Sequence, residues 1–281
     1  MFAVITDRTW LWAAAGCYFA GLAFGTIALL RRGRPAGVAT YALVAIGYAL
    51  QLAGLTVRGR AVGGCPLGNP FELLQFTAWS ATTLYLIVGV AFRHSLLGYL
   101  TAALAAALTL VSLAVPAWDA THRTPIFGPN PWIELHAALA VFSYGVFGLL
   151  ALTSVMFLLR HRTLKAKETG WWSAILPPIR DLDLIGVRLL GTGAVILTAA
   201  LAVIVLFFAR EPAAVSVAKF AATSLVWLAS VATLALRLRG RLIAQRFAVL
   251  GVALFVAALL SLVPVDGSRP AAPPLPEART P

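Results

Sequence analysis

The 281-residue chain is 60% hydrophobic and only 11% charged, with a mean hydropathy of +0.89. That composition excludes an ordinary soluble domain and describes a membrane protein. Lys and Arg number 22 against 10 Asp and Glu, a net charge of +12, but the cations flank long apolar blocks instead of gathering in one stripe. The surplus therefore reads as membrane topology and argues against nucleic-acid binding. Two cysteines, Cys17 inside an apolar block and Cys65 between blocks, make neither a disulfide framework nor a paired-cysteine zinc site.

A helix needs about 20 apolar residues to cross the roughly 30 Å hydrocarbon layer, where its backbone must satisfy its own hydrogen bonds. In chain order, eight stretches meet this requirement: residues 9–30, 38–57, 71–92, 96–115, 132–159, 184–209, 220–236 and 242–263. The first is too long for a signal-peptide core and has no basic leader, so it is expected to stay as a membrane helix. Counting Lys and Arg on alternate sides puts 14 on one face and 8 on the other. The richer side should be cytoplasmic, which places both termini and the loops holding Cys65 and His122 outside. The predicted fold is an all-α polytopic membrane bundle of about eight transmembrane helices over residues 1–264. Residues 265–281, VDGSRPAAPPLPEARTP, are too polar and proline-rich to fold and are expected to form a disordered tail.

Polar groups at membrane depth are costly, so the few present carry the functional information. Gly21 and Gly25, and later Gly191 and Gly193, are small residues that let helices approach closely. The segment Cys65-Pro66-Leu67-Gly68-Asn69-Pro70-Phe71-Glu72 opens the third stretch. Asn69 is an N-cap, Pro70 takes the first helical position, and Glu72 is placed as a capping-box acid. Glu72, Gln75, Trp79 and Thr82 or Thr83 then recur at spacings of three and four, a stripe expected to face other helices. Asn130-Pro131 repeats the cap-and-proline start before Trp132-Ile133-Glu134-Leu135-His136. Trp132, His136, Ala140, Ser143 and Tyr144 share one face, with the small Ala140 leaving room above the imidazole.

A neutral imidazole among aromatics near the outer surface suits an axial ligand for haem iron. Arg58, Arg60 and Arg123 are then available for propionates. The same imidazole could instead simply bond Glu72, Tyr144 or a backbone carbonyl. His122, in the outer loop, is either a second axial ligand or a solvated side chain. His94 and His161 sit beside arginines in basic turns, and Trp171-Trp172 reads as an interfacial anchor.

At these residues the sequence resembles the cytochrome c assembly protein family, haem-handling membrane proteins that include CcsA (ResC) and a smaller HemX-like and YpjD-like branch. The resemblance is carried by Pro66-Leu67, Asn69, Glu72, Leu74, Phe76 and Trp79, by Trp132 to His136 continuing to Tyr144 and Phe147, and by Leu176-Pro177-Pro178 with Leu182-Asp183 and Leu197-Thr198. It implies that His136 is a haem ligand, with Trp132, Tyr144 and Trp79 as pocket wall. Glu72 and Gln75 would orient the imidazole, while His122 and Arg123 complete the cofactor-binding set.

The family's tryptophan-rich outer loop is replaced here by Arg210-Glu211-Pro212-Ala213-Ala214-Val215-Ser216-Val217-Ala218-Lys219, and no second outer histidine follows the eighth stretch. Both depart from the full family pattern, and the Trp227 to Gly251 region instead resembles the HemX-like branch. The expectation is an accessory haem-handling protein of cytochrome c biogenesis in the bacterial inner membrane. It would be no enzyme on its own, and would work with other assembly subunits or a haem-biosynthesis enzyme. The alternatives are a membrane regulator acting through the basic segment Arg160 to Arg180, and a small-molecule transporter. A transporter would need a polar site near the midplane, whereas the charges here gather at helix ends.

Overall fold

A computed structural model describes residues 6–31, 37–88, 96–119, 131–167, 176–208 and 217–262. Every long element among them is an α-helix: α1 (Asp7–Leu30), α2 (Gly37–Val62), α3 (Pro70–Val88), α4 (Leu96–Ala114), α5 (Pro131–Lys165), α6 (Ile179–Phe208), α7 (Val217–Leu238) and α8 (Ala244–Leu260). Each overlaps one of the eight predicted stretches. Six of them, α1, α2, α4, α5, α6 and α7, are long and apolar enough to cross a membrane. α8 is too short at 17 residues. α3 has the length but carries Glu72 and Gln75 in its first two turns.

The turns follow the local chemistry. Gly63 (φ +71°) lets α2 stop: the Gly64 N–H reaches back to the Gly59 carbonyl at 3.0 Å, the six-to-one bond of a Schellman end. Gly240 (φ +69°) ends α7 the same way, with Arg241 N–H donating to the Leu236 carbonyl at 3.0 Å and Gly240 N–H to Arg237 at 3.1 Å. A 3₁₀ turn, Pro116–Trp118, follows α4 and delivers Asp119 back toward the bundle.

α5 is the organising helix. At 35 residues it is about 52 Å long, and most of its apolar span is buried. It packs on α6 and α8 along one side and on α3 along another, while α1 packs on α2 and α4. Gly145 makes the α3 contact possible, because a Cβ there would come within 1.7 Å of Ser80 Oγ and 2.8 Å of the Ala81 nitrogen. Of the later glycine pair, Gly193 does abut a neighbour, the Phe147 ring, but Gly191 faces open space, so only one of the two serves a close approach. α7 is peripheral, with most of its span uncovered within the chain.

Candidate functional site

The end of the bundle near Cys65 is organised by a charge cluster rather than by the histidine. Arg58, in the last turns of α2, is only 5% exposed. Its Nε donates to Glu72 Oε1 at 2.6 Å, its Nη1 to Asp7 Oδ2 at 2.8 Å, and its Nη2 to Asp119 Oδ1. Arg8 Nε adds a 3.1 Å ion pair to Asp119 Oδ2. The Phe71 ring lies beneath both guanidinium groups, 4.9 Å from Arg58 and 5.7 Å from Arg8, adding cation–π attraction. One arginine thus ties α1, α2, α3 and the turn after α4 together. A buried charge persists only with its hydrogen bonds satisfied, and the Arg58 charge is spent on three carboxylates of the bundle itself, which turns it away from the propionate role expected of it.

Glu72 is accordingly a scaffold residue. Asn69 does cap α3, its Oδ1 accepting the Glu72 N–H at 2.8 Å, but the Glu72 carboxylate returns to the Gly68 N–H at 2.5 Å instead of closing a box on Asn69. Gln75 is equally committed. Its amide donates to Ser112 Oγ at 2.8 Å and its Oε1 accepts from Gln51 Nε2 at 2.7 Å, while Tyr18 donates to Gln51 Oε1 at 2.8 Å. The predicted stripe does turn inward, as expected, but toward α1, α2 and α4. Neither Glu72 nor Gln75 bonds His136.

His136 stands on another side of α5. Its Nδ1 lies 2.7 Å from the Ala200 carbonyl of α6. Since the carbonyl can only accept, the ring must protonate Nδ1, which leaves the Nε2 lone pair free. No described residue bonds Nε2. Of the hydrogen-bonding alternatives, the backbone carbonyl is therefore the one realised. Trp132, one turn earlier on the same face, is 57% exposed. Tyr144 is buried about 12 Å further along the helix, with its hydroxyl 3.0 Å from Ser261 Oγ at the end of α8.

Trp79 lies elsewhere. It stacks on Tyr48 at 5.8 Å and 13°, leans on Phe76 at 5.3 Å, and meets Phe142 of α5 edge-on at 6.2 Å. Its buried Nε1 finds no hydrogen-bond acceptor among the described residues. Trp79 and Phe76 wall a cleft of about 420 Å³ between α2 and α3, together with Leu55, Arg60 and Gly63; His136 is not part of it. The six predicted site residues that are described thus do not converge: Trp132, His136 and Tyr144 share one face of α5, with His136 and Tyr144 meeting α6 and α8, Trp79 packs on α2 and α5, and Glu72 and Gln75 join the α1, α2 and α4 network. His122 and Arg123 lie outside the described residues.

Two features escaped the sequence reading. The Arg58 cluster was signalled by an arginine within an apolar helix, which requires acidic partners nearby. Arg237 was the other. It donates to Asp183 Oδ2 at 2.5 Å and to the Leu242 carbonyl at 2.7 Å, pinning α6, α7 and the α8 turn at the opposite end. Cys65, in the loop before α3, has its backbone N–H 3.4 Å from Glu134 Oε2. Burial, reinforced by the Glu134 and Glu72 carboxylates, pushes its thiol up to about 11, so it stays protonated and inert at neutral pH. Among the described residues no three His, Cys, Asp or Glu side chains gather as a metal cage; a metal here would have to be carried by its own macrocycle and held axially.

Helices of bilayer-spanning length gathered around one central buried helix, with charge confined to the ends, define a polytopic membrane bundle. The chain belongs to the cytochrome c assembly protein family, whose family model matches residues 67–266. It is 29% identical over 166 residues to Protein HemX of Brevibacillus brevis and 25% identical over 166 residues to Protein HemX of Bacillus subtilis, each match covering 59% of this chain and 60% of the relative. It is also 30% identical over 193 residues to the cytochrome c biogenesis protein CcsA of a Synechococcus species, covering 61% of this chain and 54% of that protein. The matches thus span less than two thirds of these relatives' lengths.

Proposed function

We propose that this chain is an accessory haem-handling protein of cytochrome c biogenesis, with His136 as the axial ligand. The observation that carries the reading is the His136 bond to the Ala200 carbonyl. It selects the Nδ1–H tautomer, aims the ring, and leaves Nε2 as a neutral nitrogen donor; a carbonyl behind the imidazole is the usual way a ligating histidine is oriented and made more basic. It performs the role expected of Glu72 and Gln75, which leaves those two as scaffold. Trp132, exposed one turn away, supplies an aromatic flank, and Tyr144 closes the deeper floor with Ser261. His122 and Arg123, in the segment that precedes α5 in the sequence, are proposed as second ligand and propionate partner. Family membership and the CcsA relatives support the biogenesis role.

The accompanying topology is eight spans in a bacterial inner membrane, both termini outside. It requires α3 and α8 to cross as well; α3 does so with its polar groups paired inside the bundle, as lipid demands. Haem is cargo or cofactor here, and attachment to an apocytochrome belongs to partner subunits. Titration of the detergent-purified full chain with haem tests the reading: stoichiometric uptake with an imidazole-type Soret band is expected. No uptake would overturn it and favour regulation through the segment Arg160 to Arg180.

A further inference from the structure

The cleft between α2 and α3 asks for a different ligand. Its walls from Leu52 to Phe76 and Trp79 are apolar, and no carboxylate lines it. Its single charge is Arg60 at one end. Arg60 is exposed and has no ion pair among the described residues, whereas Arg58, two positions earlier, is saturated by three carboxylates. Asp7, Glu72 and Asp119 are thus drawn to Arg58, and Glu134, whose carboxylate lies behind Gly64 against the Cys65 N–H, makes no ion pair with Arg60, so the guanidinium is the one charge lining the cleft. From Leu52 to Arg60 the helix advances about 12 Å, most of one leaflet of a roughly 30 Å hydrocarbon layer. Thr56, on the wall, spends its hydroxyl on the Leu52 carbonyl at 2.7 Å, and Gly63 leaves space beside the guanidinium.

We propose that this cleft is a binding site for one anionic phospholipid, its phosphate on Arg60 and an acyl chain along Leu52, Leu55, Phe76 and Trp79. The charge pattern selects an amphiphile with a single anionic end, and the apolar run fits a chain aligned with the helices. The inference rests on the chain lying in a bilayer and not on His136 or haem.

Native mass spectrometry of the full chain, exchanged into micelles doped with phosphatidylglycerol or with phosphatidylcholine of the same acyl chains, tests it. One phosphatidylglycerol should be retained about fivefold better than phosphatidylcholine, the preference one cation at the membrane surface provides. Arg60→Gln should abolish the preference while Arg60→Lys keeps it. Thr56→Trp, which fills the cleft from its exposed side, should lower retention of both lipids, and Arg241→Gln at the far end should change nothing. Equal retention of the two lipids by the wild type, or retention indifferent to both Arg60→Gln and Thr56→Trp, would overturn the proposal. So would one-for-one expulsion of the bound lipid by added haem, which would give the cleft to a porphyrin.

Discussion

Arg58 holds three carboxylates at once, and the asymmetry of buried ion pairs makes it the most consequential side chain at this end of the bundle. Arg58→Ala leaves Asp7, Glu72 and Asp119 facing one another with only Arg8 to offset them. Breaking a buried pair by removing one partner costs roughly 3–5 kcal/mol, and a loss of that size is expected in denaturant unfolding of the detergent-solubilised protein; a change within experimental error would show that the cluster is not a clamp. Cys65 gives a second readout at this scale. With its thiol pushed up to about 11, alkylation at pH 8 should run roughly a hundredfold slower than for an ordinary cysteine and climb about tenfold per pH unit to pH 10. A plateau near pH 9 would mean that the loop leaves the thiol in water. His136 was conspicuous in the sequence, because an imidazole one turn inside an apolar helix stands out. Its partner was not, since a backbone carbonyl from a helix 64 residues away leaves no mark on composition.

α5 presents different faces to different partners, and this decides which predicted site residues meet. Glu134, Ala137, Ala138 and Val141 turn toward the Cys65 loop and α3, while His136 and Tyr144 turn toward α6 and α8. Helical spacing identified the α3 stripe as inward-facing and, separately, placed Trp132, His136 and Tyr144 on one face of α5. It could not say that they face different neighbours, because a helix buried nearly all round carries no amphipathic signal to orient it. The helices themselves were legible from apolar length alone; the capping glycines Gly63 and Gly240 mark ends that composition blurs. Gly145 offers a test at this scale. Gly145→Ala drives a methyl into Ser80 and the α3 backbone, so overpacking should cost about 1–3 kcal/mol despite the better helix propensity of alanine. Gly16→Ala, with nothing within 4 Å of the new methyl, should be neutral or slightly stabilising. Equal thermal shifts for the two variants would contradict the close α3 and α5 crossing.

For the whole molecule, the bundle is fastened at both ends by arginines: Arg58 joins α1, α2, α3 and the turn after α4, and Arg237 joins α6, α7 and α8. Counted over the eight predicted stretches, all the Lys and Arg divide 14 to one side and 8 to the other, and this bias predicts termini outside the cytoplasm. Fusions of an externally active reporter should therefore be active after residue 267 and inactive after residue 167; the reverse pattern would invert the topology. Between those fastenings the His136 side of α5 is where a ligand donor remains uncommitted, and the account stands or falls there. The most direct measurement is the absorption spectrum of haem-loaded wild type and His136→Ala, each recorded without and with added imidazole. The account predicts that the variant loses the imidazole-ligated Soret and visible bands and recovers them when imidazole is supplied. Identical spectra for the two proteins, with no response to imidazole, would contradict His136 as the ligand.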